Sequence, residues 1–512
     1  LLVWFVGSAV YAQNTFDSSN LPIVVIDTKD GTIVDDPRIR CHMGIIDKPE
    51  ERLNSLNDEF NVYDGWISIE IRGSSSQSFP KKQYAFETQK GDGSNRNVSL
   101  LGMPKENDWI LQAPYSDKTL IRNVLAFRMS EKLGYYAPRV RFCELILNGE
   151  YQGVYVLTEK IKRDKNRVNV TKYDDDNAGV SSGYIIKLDK PTGSQDYSWN
   201  TEIKDVFIQC EYPDIDDITE NQKTYIRDYV DDFETALFSE DFSDPELGYR
   251  KYVDLSSLVD FFIVNEFSKN IDGYALSTFI YKNPGEKLTF GPVWDYNLAF
   301  GNANYSGGYL SDGFIASNRR WWDRIIQDPF FEEALKGRWK SLRKNELSND
   351  RIFDMIDRYV IEIGTAQQRN FVYWDILGHR VWPNYFLGYT YEAEIGYLKD
   401  WLEARLEWLD VSLKLPENHA IEDYKLYAFP NPFLHHLAVE FHIENDATVS
   451  LLLYDNSGRL QYTILDETLY KEGNHSFFWD TNSVYFDTGS NYVLLMLVNG
   501  ELVNSMPLIK QR

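Results

Sequence analysis

The apolar pattern changes twice along this chain of 512 residues, and these changes limit how the chain can fold. Short apolar runs typical of strands dominate the first part, where one helical stretch interrupts them. After Leu258, apolar residues recur at helical spacing in long, aromatic-rich segments. From about Leu426 onward, short alternating runs return, separated by turn residues. This order predicts an α+β chain with a strand-rich part, then a helix-rich part, then a small all-β sandwich.

The first part contains six runs that predict strands. They are residues 23–26, 66–71, 83–87, 143–147, 153–158 and 183–188. Between them one helix is expected, with Asp117 as its N-cap and Gly134 at its end. The second part contains three long helical segments. These are residues 321–342, 351–366 and 392–413.

Composition excludes several functional classes. The formal charge of −25 is spread along the chain, which argues against a nucleic-acid-binding surface because phosphate recognition needs clustered Lys and Arg. Three scattered cysteines cannot form a disulfide framework. Of seven histidines, only His42 and His379 precede residue 415, which argues against histidine-based nucleophilic catalysis or a zinc pair. Chemistry is expected to use carboxylates, lysines and a hard metal ion.

The two ends of the chain indicate export. Residues 1–12 are apolar and end in a small-residue pattern, as in the last part of a signal peptide. No other stretch approaches 18 uninterrupted apolar residues, so no transmembrane helix is expected. We expect the main domain at residues 21–415, a linker at 416–425 and the sandwich at 426–512.

The segment 270–297 is the most informative for chemistry. Residues 278–281 and 288–290 predict strands, and Asn283-Pro284-Gly285-Glu286 predicts the turn between them. A symmetric hairpin centred between Asn283 and Pro284 carries Asp272 and Asp295 to the same end. Two carboxylates brought together in this way can share Mg²⁺ and a phosphorylated substrate.

This arrangement is similar to that of protein kinases, in which one Asp orients the attacking hydroxyl and a later Asp holds Mg²⁺. At this point the domain resembles the CotH-like family, named for spore-coat protein H, whose members have a divergent protein-kinase fold with two lobes. The resemblance rests on ordered blocks at residues 72–84, 117–134, 148–159, 183–189 and 294–301. It implies a strand-rich N-lobe, a helix-rich C-lobe, and ATP with Mg²⁺ or Mn²⁺ as cofactors.

The resemblance assigns Asp272 as the catalytic residue and Asp295 as a metal ligand. Ser277 and Asn297 occupy the other metal positions, where the family commonly has Asn and Asp. Both departures weaken the expected metal site, and they leave open a slow or degenerate enzyme.

Five further residues are candidates for the nucleotide site. Arg72 would contact phosphate, and Lys81 or Lys82 would pair with phosphate, although alternation allows only one lysine to enter the cleft. Arg122 would form an ion pair that positions this lysine. Glu159 would lie at the junction of the lobes.

The last 85 or so residues resemble the type A sorting domain of the type IX secretion system, also called Por. The resemblance rests on blocks at residues 429–433, 454–459, 473–480 and 489–492. It implies a Gram-negative bacterium of the Bacteroidetes type, a secreted or cell-surface location, and the type IX machinery as a partner.

The leading hypothesis is an exported atypical kinase that transfers phosphate from ATP to Ser or Thr of a protein acceptor. The alternative is a catalytically weak or inactive surface adhesin or carbohydrate-associated binding module on the same fold. The substitutions at Ser277 and Asn297 and the 76 aromatic residues (29 Phe, 13 Trp, 34 Tyr) motivate this alternative.

Overall fold

The computed structural model describes most of the chain. The described ranges are residues 16–48, 53–172, 182–191, 197–413, 426–429, 431, 433, 436–443, 445–455, 459–481, 486 and 491–510. The predicted signal peptide and the predicted linker lie outside the described residues. Contacts divide the chain into two compact units, and the second consists of segments 310–314, 333–341 and 398–512.

A closed barrel of seven strands forms the first part of the chain. In barrel order the strands are β2 (Ile23–Asp27), β3 (Ile39–Ile46), β5 (Tyr63–Arg72), β6 (Gln83–Gln89), β7 (Asp108–Gln112), β9 (Glu150–Glu159) and β8 (Val140–Leu147). Alternate residues point inward, and the interior is filled by apolar side chains such as Met43, Ile67, Phe86 and Tyr155. Two short strands, β1 (Ser18–Ser19) and β4 (Asn54–Ser55), pair beside it.

The barrel closes through its only parallel pairing, between β2 and β8, while the other six strand pairs are antiparallel. Ile23 pairs with Glu144, and Ile26 pairs with Leu147. The first described strand of the barrel therefore completes it by joining a strand that is far away in sequence.

A second sheet of five strands follows, in the order β11-β12-β10-β13-β14. These strands are β10 (Tyr184–Leu188), β11 (Ser198–Asn200), β12 (Phe207–Tyr212), β13 (Thr278–Lys282) and β14 (Thr289–Phe290). Three helices accompany the two sheets. They are α1 (Arg122–Lys132), α2 (Glu220–Phe238) and α3 (Leu255–Ser268).

Five further helices follow in the described chain. They are α4 (Trp322–Ile325), α5 (Pro329–Arg343), α6 (Asn349–Ile363), α7 (Ala366–Tyr373) and α8 (Tyr391–Ser412). The predicted helical segment at 321–342 is divided in two, because Asp328 caps α5 by accepting a hydrogen bond from the Phe330 amide (3.0 Å) and Pro329 occupies its first position. None of the described helices is long and apolar enough to cross a membrane.

The C-terminal strands form two sheets around one apolar core. The strands are β15 (Leu426–Phe429), β16 (His436–Ile443), β17 (Ala447–Asp455), β18 (Leu460–Tyr470), β19 (Gly473–Asp480), β20 (Asn491–Val498) and β21 (Glu501–Ile509). Leu437 and Val439 of one sheet share this core with Leu451 and Leu494 of the other. This is the arrangement of a β-sandwich.

The structure confirms a mixed α+β chain. The strand-rich first part is a closed barrel, which the sequence prediction did not foresee, and the two-lobed kinase layout stays a prediction. Strand β3, strand β7 and helix α2 were not predicted. In β3 and α2 the apolar residues are interrupted by polar ones such as Arg40, His42 and Gln222, and β7 has a run of only three apolar residues.

Lys81 is a buried cation beside the barrel. Its side chain is 1% exposed, and it donates hydrogen bonds to the Val154 carbonyl oxygen (2.6 Å) and to Oδ1 of Asn370 on α7 (2.9 Å). Its Nζ also lies 5.1 Å from the centre of the Tyr155 ring. Burial lowers the pKa of Lys81 to about 7 because the charged form has lost its water.

Replacing Lys81 by Met is expected to change how stability depends on pH. With a pKa of about 7 in the folded state and 10.5 in the unfolded state, this lysine binds more protons in the unfolded chain between those values. The free energy of unfolding should therefore rise with pH in this window, by up to about 1.4 kcal/mol per pH unit from this group. Lys81→Met should remove that contribution. Urea unfolding between about pH 7 and pH 8.5 measures it.

The upper limit of that range avoids an opposite contribution from Cys41 and Cys143, because burial raises the pKa of both thiols to about 12. Lys82→Met is the matched control, since Lys82 is half-buried and donates to the Gln77 carbonyl oxygen (2.7 Å). Its slope should equal that of the native protein. Equal slopes for the native protein and Lys81→Met would contradict the prediction.

Candidate functional site

The predicted hairpin is present as β13 and β14. The Glu286 amide donates to the Asn283 carbonyl oxygen (3.1 Å), which closes the expected turn. Pro284 and Gly285 occupy its central positions, and Gly285 has a φ of +72°, as a type II turn requires. The turn chemistry of this segment was therefore readable from the sequence.

The hairpin register differs from the expected one. Ile280 pairs with Phe290 and Tyr281 with Thr289, so the pairs are centred on Gly285 rather than between Asn283 and Pro284. The cause is Leu288, whose amide donates to the Tyr252 carbonyl oxygen (2.8 Å) outside the hairpin. Asp272 and Asp295 are consequently not opposite one another in the ladder, and other contacts bring them together.

Asn270 connects the two loops that carry the aspartates. Its Nδ2 donates to the backbone carbonyl oxygen of Asp295 (3.3 Å), and its Oδ1 accepts from the amide of Asp272 (3.3 Å). Arg319 supports the same loop by donating to the Ile271 carbonyl oxygen. One amide side chain therefore fixes both acidic loops relative to each other.

Helix α1 and helix α3 hold the segment after Asp295. Oδ1 of Asn123 accepts from the Tyr296 amide (2.6 Å), and Nδ2 of Asn123 donates to Gln112 of the barrel (3.1 Å). The Tyr296 hydroxyl donates to Oδ1 of Asn265 on α3 (3.0 Å). Asp295 is thus attached to the barrel on one side and to the helices on the other.

The two aspartates belong to one electrostatic cluster. Crowding by protein atoms raises the pKa of Asp295 to about 6, and the carboxylates of Asp272 and Asp189 contribute to this increase. Arg72 and Lys190 act in the opposite direction. Loss of water also raises the pKa of Asp272, while Lys190 lowers it and Asp189 raises it. The structure therefore places three acidic groups, Asp189, Asp272 and Asp295, and three basic groups, Arg72, Lys190 and Arg319, around one location.

Asp295 is crowded by protein but not sealed from water. Its side chain is among the exposed ones, although surrounding atoms still raise its pKa. Asp295 is therefore reachable from solvent although protein atoms surround it. The backbone there is strained, because Asp295, Ser277 and Tyr274 have φ values of +66°, +48° and +69°. Such conformations are costly for residues other than glycine and concentrate at functional sites.

Arg72 is the predicted phosphate-binding residue that the structure brings to this location. It ends β5, and its guanidinium lies 5.5 Å from the centre of the Trp294 ring. Burial lowers the pKa of Arg72, and the neighbouring carboxylate of Asp295 raises it. Trp294 itself stacks on Phe127 of α1, with ring centres 5.6 Å apart.

The two candidate lysines are engaged elsewhere. Lys81 is hydrogen-bonded to Val154 and Asn370, and Lys82 to Gln77, as described above. Lys81 is buried and Lys82 half-buried, and both residues precede β6. The basic groups that act on Asp295 are instead Arg72 and Lys190.

Arg122 and Glu159 form structural ion pairs. Arg122 is 1% exposed, and its Nη1 donates to Asp117 (2.6 Å), so its ion-pair partner is this carboxylate. Asp117 also accepts from the Arg122 amide (2.9 Å), but the N-cap of α1 is Ile121, so the prediction of Asp117 as N-cap was wrong. Glu159 is fully buried and accepts from the amide and the guanidinium of Arg139 (both 3.0 Å).

The residues predicted to bind a metal ion fit a divalent cation in part. Ser277 directly precedes β13, and the backbone of Asn297 accepts from Asn302 (2.7 Å). In the described ranges, no group of three or more His, Cys, Asp or Glu side chains is arranged to hold a metal ion. Mg²⁺, however, is commonly bound by one or two carboxylates together with phosphates and water. Asp272 and Asp295 fit this smaller set, since a cation between them would relieve their mutual repulsion.

Sequence reasoning missed four residues of this site. Asn270, Asp189 and Lys190 carry ordinary surface residue types, and only Asp189 stood in a recognised block, as its last residue. Leu188 of β10 pairs with Thr278, which brings Asp189 beside Ser277. The fourth is Tyr305. Burial and the two aspartates raise the pKa of its hydroxyl to about 12, and its ring stacks on Trp382.

Comparison with known proteins identifies the family. The model of the family described as CotH kinase protein matches residues 69–409, which is more than half of the chain. The chain belongs to this family. The match includes Arg72, both aspartates and the other site residues named above, so the cluster lies inside the family domain.

The chain is also similar to a curated protein and, weakly, to a solved structure. Inner spore coat protein H of Bacillus subtilis (strain 168) is 24% identical over 311 residues, which cover 57% of this chain and 76% of that protein. The solved structure is the alkylpurine DNA glycosylase AlkC of Pseudomonas fluorescens bound to DNA containing an abasic site analogue. It is 14% identical, covering 38% of this chain and 56% of its own, and its TM-score of 0.14 supports no inference.

Replacing Asp295 by Asn is expected to stabilise the protein at neutral pH. With a pKa of about 6 in the folded state and 3.8 in the unfolded state, Asp295 binds more protons in the folded chain between these values. Native stability should therefore fall as pH rises through this window. Asp295→Asn removes the penalty and should gain about 1 kcal/mol at pH 7, after allowance for solvent screening. Near pH 4 the two proteins should be equally stable.

Urea unfolding in the presence of a chelator measures this difference at both pH values. Asn also tolerates a positive φ, so the substitution keeps the backbone. Asp216→Asn, at an exposed position, is the matched control and should show no gain. Destabilisation of Asp295→Asn at pH 7 would show that the repulsion between the carboxylates is not the dominant effect.

Proposed function

We propose that this chain is a phosphotransferase that moves the γ-phosphate of ATP to a Ser or Thr hydroxyl of a protein acceptor. The observation that carries the proposal is the cluster in which Asp272 and Asp295 lie with Arg72 and Lys190. Membership of the CotH kinase family supports it.

The basic and acidic residues of the cluster have different proposed roles. Arg72 can donate two parallel hydrogen bonds to phosphate, and Lys190 adds a second positive charge. Loss of water raises the pKa of Asp272. Its carboxylate is therefore suited to accept a proton from the acceptor hydroxyl. Positioning and charge neutralisation account for most of the catalysis in this class of reaction.

Asp295 would hold a divalent cation, Mg²⁺ or Mn²⁺, together with phosphate oxygens. When bound, such a cation neutralises charge on the phosphates. The substituted positions Ser277 and Asn297 offer neutral oxygens, so we propose one cation rather than two. The backbone at Asp295 is strained, and Asn270 and Asn123 hold it in place. These bonds would keep the carboxylate in its position among Asp272, Arg72 and Lys190.

We also propose that the chain acts outside the cytoplasm, secreted or at the surface of a Gram-negative bacterium, with the type IX machinery as a partner. This part rests on the apolar residues 1–12 and on the resemblance of residues 426–512 to a sorting domain. The sandwich of β15–β21 is compatible with it.

Radiolabelled ATP tests the transferase proposal. With Mg²⁺ or Mn²⁺ present, γ-labelled ATP should label the protein itself or a Ser/Thr-rich acceptor such as casein, and α-labelled ATP should not. Asp272→Asn and Asp295→Asn should each reduce labelling at least about a hundredfold, since each removes a group needed in the transition state. Asp216→Asn should label normally.

A melting curve separates this function from a binding module. ATP with Mg²⁺ should raise the melting temperature of the native protein, because a ligand that binds only the folded state stabilises it. The increase should be lost in Asp295→Asn. Transfer of α-label would indicate adenylylation, while no ATP-dependent shift and no labelling would favour the adhesin or carbohydrate-binding alternative.

A further inference from the structure

A concave surface lies on helix α1, away from the paired aspartates. It is a cavity of about 760 Å³ bounded by α1, the start of β8 and helix α6, and we call it the α1–α6 groove. Its apolar lining comes from Val124, Phe127, Phe142, Met355 and Tyr359. The rings of Phe142 and Tyr359 meet edge to face with centres 5.9 Å apart.

The charges around this groove contrast with the rest of the protein. Six basic side chains line it: Arg128, Lys132, Arg139, Arg141, Arg351 and Arg358. Three acidic side chains line it as well: Glu131, Glu346 and Glu362. The lining therefore has a formal charge of +3, whereas the whole chain has −25. An anionic ligand would meet attraction here and repulsion over most of the remaining surface.

The ion pairs in the groove are exposed and weak, except that of Arg139, which binds the buried Glu159. Arg351 lies 2.8 Å from Glu346, and their side chains are 54% and 31% exposed. Lys132 approaches the same carboxylate only to 3.9 Å. Arg141 donates to the carbonyl oxygen of Val140 (2.8 Å). Exposed pairs of this kind contribute little to stability, so these basic groups can exchange their contacts for those of a ligand.

We propose that the α1–α6 groove docks an extended acidic peptide segment of a partner protein. Apolar side chains of the segment pack on Phe142 and Tyr359, and its carboxylates pair with Arg128, Arg141 and Arg351. Arginine suits this role because its planar fork binds carboxylates through two hydrogen bonds.

The distribution of charge favours a peptide over other anions. The basic groups come from three separate elements and do not converge on one point, as a single phosphate would require. Glu131, Glu346 and Glu362 lie among them, which disfavours a continuous polyanion such as nucleic acid. A peptide can alternate apolar and acidic residues to match such a lining.

The groove and the acidic cluster share helix α1. Asn123 holds the Tyr296 amide, and Phe127, one turn later, both stacks on Trp294 and lines the groove. A docked segment would therefore lie against the helix that supports Asp295. Binding in the groove is nevertheless independent of phosphate transfer.

Fluorescence anisotropy with the full chain tests the proposal. The probe is a labelled peptide of about twelve residues in which Glu and Asp alternate with Leu and Phe. It should bind, and replacing its acids by Gln and Asn should weaken binding at least about tenfold, as should high salt. The double variant Arg141→Glu/Arg351→Glu should lose a similar factor. The matched control is Arg227→Glu/Lys251→Glu, which makes the same charge change at exposed positions outside the groove.

Several results would overturn the proposal. One is equal binding of the acidic and neutral peptides, and another is equal loss in the two double variants. Stronger competition by single-stranded DNA or by anionic phospholipid vesicles than by unlabelled acidic peptide would assign the surface to a different ligand. Melting temperatures of both double variants show that the chain remains folded. Asp272→Asn, which abolishes the proposed transfer, should bind the peptide normally.

Discussion

Two asparagine side chains hold the acidic site together. Asn270 bonds to the backbone of both Asp272 and Asp295, and Asn123 fixes the next residue, Tyr296. The carboxylates repel each other, and the backbone at Asp295 is in a conformation unfavourable for its residue type. Uncharged amides supply hydrogen bonds without adding to this charge, so they can hold two like charges close without neutralising them. The site depends on these bonds because the hairpin ladder alone does not align the aspartates.

Local chemistry made part of this structure predictable. The turn at Asn283–Glu286 followed from Pro and Gly at positions that favour them, and most strands of the first part followed from apolar runs. The hairpin register did not, because it depends on a backbone bond between Leu288 and Tyr252. Closure of the barrel could not be predicted either, because the apolar pattern of a strand does not indicate which strands pair with it.

The site shows the same division. Arg72 and Asp295 were found because they occupy recognised blocks, and Asp272 because the expected hairpin carries it toward Asp295. The structure places all three in one cluster. Lys190 was missed because a lysine after a strand is ordinary on a protein surface. Lys81 and Arg122 were assigned from sequence to a phosphate site, but the structure gives them other partners. Whether a charged side chain faces a cleft or a core is decided by tertiary packing, which one sequence does not reveal.

Basic residues are outnumbered by acidic ones in this protein, 53 to 78, and they are unevenly distributed. Arg72 and Lys190 accompany the aspartates, and the α1–α6 groove gathers basic residues from three elements. Over an acidic surface, such local concentrations create steep changes in potential that direct anions to few places. The two places are joined by one helix, since α1 carries both Asn123 and Phe127.

The parallel pairing of β2 with β8 has a consequence for biosynthesis. Ile23 pairs with Glu144, which is synthesised about 120 residues later. Pairings between residues so distant in sequence form slowly. Until then the nascent barrel presents two unsatisfied edges that can recruit foreign strands. A chaperone that covers the unpaired strand edges would therefore protect the chain during synthesis. Deletion of residues of β2 would leave the edge of β8 unpaired in the folded protein as well.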